Sequence, residues 1–125
     1  MGSRVLVTGA DGYLGQRSVE HLLRTTAVDL VLWLRARTPT EMETKKSRLR
    51  RITSNPDWAR RISFACGDLR EGNPFESLKA DAASISHILH AAAVIRFNVE
   101  SELAQTVNVD GARKILEFAA SLPKL

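Results

Sequence analysis

Cysteine and tyrosine each occur only once in this sequence of 125 residues, as Cys66 and Tyr13. A single cysteine can form neither an intrachain disulfide nor a multi-cysteine metal site. We predict that Cys66, which ends the apolar run Ile62–Cys66, is a buried structural thiol. No segment approaches the ~20 apolar residues of a membrane span, and no charged-then-apolar leader opens the chain. These absences predict one cytoplasmic domain without a metal and without a membrane span.

Positive charge is distributed unevenly along the chain. The formal net charge is +4, but residues 35–61 hold nine Lys/Arg against three Asp/Glu, so the excess belongs to one segment. Nucleic-acid binding through the basic residues 45–51 is one interpretation of that segment. Because the segment lacks interleaved aromatic residues that could stack on bases, we expect no nucleic-acid partner.

The most informative stretch is an apolar run, Val5–Thr8, followed by Gly9, Gly12 and Gly15 and by a helix predicted over Tyr13–Arg24. Gly9 can adopt the φ values of a tight strand-to-helix turn, Gly12 lets the backbone approach a phosphate, and Gly15 permits close packing of helix on strand. The helix N-terminus then directs its N–H groups and positive dipole end toward an anion. This order predicts a cradle for a dinucleotide pyrophosphate, with a glycine-rich turn that holds no ligand as the alternative.

Strand and helix signals alternate along the rest of the chain. Continuous apolar runs predict parallel strands buried on both faces, and Thr38-Pro39-Thr40-Glu41 has the N-cap, proline and glutamate that begin a helix. The predicted elements are strand Arg4–Thr8, helix Tyr13–Arg24, strand Leu30–Leu34, a helix from Thr38 to Ser54, strand Ile62–Cys66, short helix Glu76–Ala80, strand Ile85–Ala93 and helix Glu102–Ser121 with Ile115 and Leu116 inward. Four successive β-α units predict an α/β fold, a Rossmann-type doubly wound parallel sheet with strand order 3-2-1-4.

Ligands of such sheets bind beyond the carboxyl ends of the strands. Arg35 stands after the second strand, where an NAD-selective site would have an acid for the ribose hydroxyls. Because a guanidinium offers bidentate donors to phosphate, Arg35 predicts NADP(H) as the cofactor, with Arg37 and Lys45 adding charge; a solvated basic face is the alternative. Asp68, after the third strand, either accepts from the adenine amino group or forms the turn. The small residues Ala91–Ala93 leave room for the ribose.

Thr8 and the glycine spacing resemble the T-G-x-x-G-x-x-G signature of the extended short-chain dehydrogenases/reductases. Within them, the chain resembles the acyl-thioester reductase branch, which includes fatty acyl-CoA reductases and the terminal reductase domains of carrier-protein megasynthases. The motifs that carry this resemblance are Leu34-Arg35-Ala36, Gly67-Asp68-Leu69, His90-Ala91-Ala92-Ala93 with Phe97, and Asn108-Val109-x-Gly111. The chain departs from the pattern at Asp11, where a small or hydroxylated residue is expected. Its carboxylate should therefore point away from the phosphate or cap the turn.

The resemblance implies a set of cofactor contacts in which Thr8 precedes the pyrophosphate loop. Carried onto this sequence, the resemblance implies that the pyrophosphate is held by Gly9, Gly12, Tyr13, Leu14 and Gly15, and the 2′-phosphate by Arg35. The adenine would be flanked by Asp68 and Leu69, and the ribose would be lined by Ala91, Ala92 and Ala93. Asn108 would support the active site from behind, and a surface position is its alternative.

Catalysis in these reductases uses a Tyr-x-x-x-Lys pair that this chain lacks, since Tyr13 is followed four residues later by Arg17. His87 and His90 have no acidic partner and are interpreted as structural, so we name no catalytic residue. Residues 1–125 are interpreted as the NADP(H)-binding N-terminal part of a longer reductase that takes acyl thioesters to aldehyde or alcohol, with self-association through an exposed sheet edge. The alternatives are a non-catalytic NADP(H)-binding or sensing module, and another extended short-chain dehydrogenase such as a sugar-nucleotide epimerase or dehydratase.

Overall fold

Four parallel strands form the centre of the fold. The computed structural model describes residues 3–92 and 105–125, and in this part of the chain the strand order is 3-2-1-4, with the strands numbered along the sequence. The strands are β1 Arg4–Thr8, β2 Asp29–Arg35, β3 Ile62–Gly67 and β4 Ile85–His90. In β2, the five residues from Leu30 to Leu34 are all buried, as expected for a strand covered on both faces. The predicted α/β fold and strand order are confirmed.

Helices connect the strands and pack on both faces of the sheet. They are α1 Tyr13–Thr25, α2 Pro39–Ser47, the one-turn helices α3 Arg50–Thr53 and α4 Pro56–Ala59, a 3₁₀ helix Glu76–Ser84, a π-helical segment Gln105–Asp110 and α5 Gly111–Ala120. The start of α2 is as predicted, because the Thr38 hydroxyl accepts from the Glu41 N–H at 3.1 Å.

The prediction of one continuous helix from Thr38 to Ser54 is wrong. Helix α2 ends at Ser47 and buries none of its residues. After it the chain turns so that Leu49 and Ile52 are buried in the core. The break lets these two apolar side chains reach the sheet while the basic residues of α2 stay near the surface.

The core consists of two apolar clusters, one on each face of the sheet, because successive strand residues point to opposite sides. The cluster under α1 and α3 contains Val5, Val7, Val19, Leu23, Leu30, Leu32, Leu34, Leu49 and Ile52. The cluster under the 3₁₀ helix and α5 contains Leu6, Val31, Trp33, Leu78, Ile85 and Ile115. The buried Trp33 indole N–H donates to the Pro74 carbonyl at 3.0 Å, which satisfies the polar atom of a core side chain.

Two predicted burials are wrong. Cys66 is exposed, because β3 pairs only with β2 among the described strands and the strand edge leaves its end uncovered. Leu116 is 68% exposed while Ile115 is buried, so α5 presents a narrower apolar face than the sequence pattern indicates.

Strand β4 ends at His90, earlier than the predicted end at Ala93, so that Ala91 and Ala92 follow the strand. Ala93 itself, Phe97 and the predicted helix start at Glu102 lie outside the described residues. No helix in residues 3–92 and 105–125 combines the length and hydropathy that a bilayer crossing requires. The same residues contain no group of three His, Cys, Asp or Glu side chains arranged to hold a metal ion.

Candidate dinucleotide site

The turn after β1 is closed by glycines. Gly9 has a φ of 70°, in the left-handed region that favours glycine. A Cβ at Gly9 would lie 2.6–2.7 Å from backbone atoms of Ala91 and Ala92. The Gly12 N–H donates to the Gly9 carbonyl at 3.1 Å, and a Cβ at Gly15 would overlap that same carbonyl oxygen. The protein's own packing therefore requires glycine at positions 9 and 15, for the two reasons predicted from the sequence.

Gly12 differs because the protein leaves room for a side chain there. Its backbone is extended, with φ −80° and ψ 172°, and the nearest described atom to an added Cβ is the Gly9 carbonyl oxygen at 3.4 Å. Gly12 is also the N-cap of α1, and among the described residues no side chain caps this helix end. Open space above uncapped N–H groups at a positive helix end fits a pyrophosphate. The glycine at position 12 is explained by a ligand better than by packing.

Tyr13 and Leu14 begin α1 at the mouth of the glycine turn and are 75% and 67% exposed. The Arg17 guanidinium carbon lies 4.3 Å from the centroid of the Tyr13 ring, which is a cation–π contact. Tyr13 and Leu14 directly follow Gly12 in the chain, and the sequence predicts that both contact the cofactor. That contact stays a prediction.

Thr8 joins the end of β1 to the end of β4. Its side chain is fully buried, and its Oγ1 accepts from the N–H groups of Ala91 and Ala92 at 3.1 and 3.2 Å. The same oxygen lies 2.7 Å from His90 Nδ1. Because two N–H donors already occupy the oxygen, its hydrogen is directed to His90. Through this hydroxyl, Thr8 holds the segment against which Gly9 packs; its predicted role at the cofactor stays a prediction.

The contact with Thr8 and the burial of the ring both favour the neutral form of the His90 imidazole. If Nδ1 accepts from Thr8, the ring proton is on Nε2. Burial lowers the pKa of His90 from 6.5, and a proton added at Nδ1 would face an oxygen that already accepts two hydrogen bonds. The contact agrees with the interpretation of His90 as a structural histidine that positions the segment after β4.

The two arginines after β2 have different surroundings. Arg35 is the last residue of β2, is exposed, and lies opposite Gly67 of β3. Its backbone belongs to the sheet, but its guanidinium makes no hydrogen bond or ion pair with another described residue and is available to an anion. Arg37, in contrast, is already paired, because its Nε lies 2.7 Å from Asp68 Oδ2. Among these two arginines, the guanidinium of Arg35 is therefore available to a ligand, whereas that of Arg37 is paired with Asp68.

Asp68 is a buried carboxylate, 1% exposed, between two arginines. Its Oδ1 accepts from the Arg70 backbone N–H at 3.0 Å, and its Oδ2 accepts from Arg70 Nη2 at 2.8 Å. The same Oδ2 forms an ion pair with Arg37 Nε at 2.7 Å. Burial alone would raise the pKa of Asp68, but the hydrogen bonds from Arg70 and the charges of Arg70 and Arg37 lower it to about 2. The structure shows the turn-forming role of Asp68; the adenine contact stays a prediction.

The Asp11 carboxylate pairs with a cation of α2 and with the residue that follows α2. Its Oδ2 lies 3.1 Å from Arg48 Nη1 and 3.9 Å from Lys45 Nζ. Burial lowers the pKa of Lys45, although the charge of Asp11 opposes that shift. Lys45 therefore stands where the sequence predicts added positive charge, but already has an internal partner.

Leu69 and Asn108 lie toward α5. Leu69 is buried, and a Cβ at Gly111 would lie 2.9 Å from Leu69 Cδ1. Lys114 Nζ donates to the Leu69 carbonyl at 2.8 Å. Leu69 therefore anchors α5 beneath the third strand end, whereas Asn108 is exposed in the π-helical segment. Their predicted cofactor roles are not tested by these contacts.

Sequence reasoning missed two residues of this site, Arg48 and Arg70. Arg70 stands two positions after Asp68, a spacing at which an Asp side chain commonly accepts from the backbone N–H of the later residue. Arg48 follows Lys45 by three positions, which places neighbouring helical residues on one face. Both sequence spacings are local, but neither predicts which carboxylate the arginine will pair with.

Comparison with known proteins supports the fold and the family. A solved UDP-glucuronic acid 4-epimerase from Bacillus cereus, in complex with NAD, has a TM-score of 0.67 at 22% identity, over 95% of this chain and 36% of that chain; this is a likeness of fold. The terminal R domain from the myxalamid PKS-NRPS biosynthetic pathway has a TM-score of 0.79 at 30% identity, over 96% of this chain and 32% of that chain.

Sequence relatives agree with the solved structures. Fatty acyl-CoA reductase 2 from Bos taurus is 30% identical over 138 aligned positions, which cover 99% of this chain and 26% of that protein. The chain thus spans about a quarter of the length of this reductase. The profile of the male sterility protein family, an NAD-binding family, matches residues 7–125. With its Rossmann-type sheet and glycine turn, the chain belongs to the male sterility protein family.

Proposed function

We propose that this chain is the NADP(H)-binding part of a reductase that converts CoA-bound or carrier-bound acyl thioesters to an aldehyde or an alcohol. The observation that carries the proposal is the open, Cβ-free approach at Gly12 above the uncapped N-terminus of α1. The similarity to a fatty acyl-CoA reductase and to an R domain of a PKS-NRPS pathway supports the thioester substrate.

The preference for NADP(H) over NAD(H) is supported by the end of β2. The exposed guanidinium of Arg35 has no ion-pair partner in the described part of the chain, and arginine binds phosphate in a bidentate geometry. A carboxylate at this place would instead accept from the ribose hydroxyls and repel a 2′-phosphate. Arg35 therefore favours the phosphorylated cofactor.

The residues of this chain bind and orient the cofactor. The N–H groups of the first turn of α1 hold the pyrophosphate, Arg35 holds the 2′-phosphate, and the ends of β2 and β3 border the adenine. When bound, the cofactor supplies the hydride for reduction. The proton donor for the carbonyl oxygen is not assigned within residues 1–125, and self-association through the sheet edge at β4 remains part of this proposal.

The test is NADPH consumption by the full-length polypeptide that contains this chain, with a long-chain acyl-CoA and, separately, an acyl carrier protein thioester. We expect acyl-dependent consumption with aldehyde or alcohol detected by mass spectrometry, and its loss in Gly12→Val. NADPH binding without turnover on either thioester would instead favour the second candidate, a non-catalytic NADP(H)-binding module. That candidate is supported by Tyr13, the only tyrosine, being followed by Arg17 where the catalytic pair has lysine.

A further inference from the structure

The carboxylate of Asp11 lies among the cations that border the candidate 2′-phosphate position. Asp11 stands in the glycine turn, and its side chain is only 12% exposed. The nearest cations are Arg48, at 3.1 Å, and Lys45, at 3.9 Å. The Lys45 side chain is 16% exposed, so this contact is partly shielded from water.

Arg35 belongs to the same electrostatic cluster. The pKa of Lys45 is lowered first by burial, raised by the charge of Asp11, and lowered by the charges of Arg35 and Arg48. A weaker effect of Glu41 also raises this pKa, so the group contains three cations and two carboxylates, Asp11 and Glu41. Of the two carboxylates, Asp11 has the larger effect on Lys45 and belongs to the glycine turn, whereas Glu41 lies in the first turn of α2.

The turn does not need this carboxylate to keep its shape. The Gly12 N–H closes the turn on the Gly9 carbonyl at 3.1 Å, and the Gln16 side-chain amide donates to the Asp11 backbone carbonyl at 2.7 Å. Both bonds use backbone acceptors. The interactions of the Asp11 carboxylate are therefore with the nearby cations and not with the backbone of the turn.

We propose that Asp11 is an internal counter-ion for Lys45 and Arg48. A 2′-phosphate must displace the Asp11 carboxylate from these two cations, and Asp11 thereby limits the preference for NADP(H). The inference rests on the proposed function and names a specificity-determining residue of the same site. A cofactor without the 2′-phosphate leaves the ion pairs intact. A 2′-phosphate gains Lys45 and Arg48 only by competing with Asp11, whose like charge also repels it.

Two probes isolate the 2′-phosphate: adenosine 2′,5′-bisphosphate and adenosine 5′-monophosphate. Calorimetry gives the ratio of their affinities in the unaltered chain, in Asp11→Asn and in Arg48→Gln. We expect the preference for the bisphosphate to rise roughly five- to tenfold in Asp11→Asn and to fall in Arg48→Gln. Asp57→Asn is the matched control, because it removes an equal charge from an exposed pair with Arg60 and should leave the ratio unchanged.

The affinity ratio is expected to change in opposite directions in the two variants, and this distinguishes a counter-ion from a structural link. If Asp11 merely fastened the turn to α2, both Asp11→Asn and Arg48→Gln would break the same link and lower the ratio together, which would overturn the proposal. An unchanged ratio in Asp11→Asn, with both probes bound, overturns it too and leaves the proposed function standing. Failure of the unaltered chain to bind NADP(H) at all overturns the proposed function, and the counter-ion role with it.

Discussion

The Oγ1 of Thr8 and the Nδ1 of His90 lie 2.7 Å apart and join the carboxyl ends of two neighbouring strands. The same threonine oxygen accepts the N–H groups of Ala91 and Ala92, whose backbone leaves no room for a Cβ at Gly9. One buried hydroxyl therefore couples the protonation state of a histidine to the position of the glycine turn.

This coupling predicts a stability that depends on pH. Because the pKa of His90 is lowered from 6.5 by burial, the unfolded chain takes up a proton below about pH 6.5 that the folded chain refuses, so stability falls as the pH falls through that value. Urea unfolding at about pH 8 and about pH 5.5 should show a smaller loss in His90→Asn, which keeps an acceptor but cannot titrate. His21→Asn, on the exposed face of α1, is the control. Equal pH dependence in all three proteins would contradict the coupling.

The second and third glycines of the turn should respond differently to the same added methyl group. Gly12→Ala meets no described atom closer than 3.4 Å, so its free energy of unfolding should change by less than about 1 kcal/mol. Its affinity for NADP(H) should fall at least roughly tenfold, because the methyl group occupies the approach to the pyrophosphate.

Gly15→Ala is the matched comparison. Its Cβ overlaps the Gly9 carbonyl oxygen, so the variant should be strongly destabilised in urea unfolding. Retained dinucleotide affinity in a folded Gly12→Ala protein would show that the cradle assignment is wrong.

The sheet order and the glycine turn could be predicted from the sequence because their causes are local or periodic. The run Leu30–Leu34 has no polar residue, which indicates a strand covered on both faces. Gly9 precedes the helix and Gly15 lies in its first turn. Glycine is needed at position 9 for the backbone conformation and at position 15 for close packing. Cys66 could not be placed in the same way, since its exposure depends on which strand lies at the edge.

The partners of the charged side chains could not be predicted. Asp68 lies beside Arg37 because two strand ends meet at the same edge of the sheet, and Asp11 meets Arg48 across 37 positions of sequence. Both contacts depend on tertiary geometry, which spacing does not encode. Arg35 could be identified because its place at the end of a strand is itself the signal.

The ion pairs of Asp68 with Arg37 and Arg70 predict that neutralising Asp68 lowers the stability of the fold. Asp68→Asn should lower the free energy of unfolding by roughly 1–2 kcal/mol near neutral pH, since the arginines are partly exposed and water screens the pairs. The pKa of Asp68 is lowered from 3.8 to about 2 in the folded chain, so its contribution is present above about pH 4 and is lost as the pH falls through 2.

The difference between Asp68→Asn and the unaltered chain should therefore shrink on acidification. The control is Asp57→Asn, whose carboxylate is 82% exposed and which should have little effect at any pH. A loss in Asp68→Asn that stays constant from about pH 7 to about pH 2 would assign the effect to the turn and not to the charge.

The last prediction concerns the chemistry that residues 1–125 can perform when produced alone. Tyr13 is the only tyrosine; it lies in the first turn of α1, and the Arg17 guanidinium lies 4.3 Å from its ring centroid. If the pyrophosphate binds at the glycine turn as proposed, Tyr13 would lie far from a carbonyl at the nicotinamide end of the cofactor and could not protonate it. Loss of a positioned general acid typically costs about 10²–10⁴-fold in rate. We therefore expect this chain to bind NADPH and to leave an acyl-CoA unreduced. The measurement follows NADPH absorbance in the unaltered chain and in Tyr13→Phe, with binding checked by calorimetry. Acyl-dependent consumption that disappears in Tyr13→Phe, while NADPH still binds, would make Tyr13 the proton donor and refute the prediction.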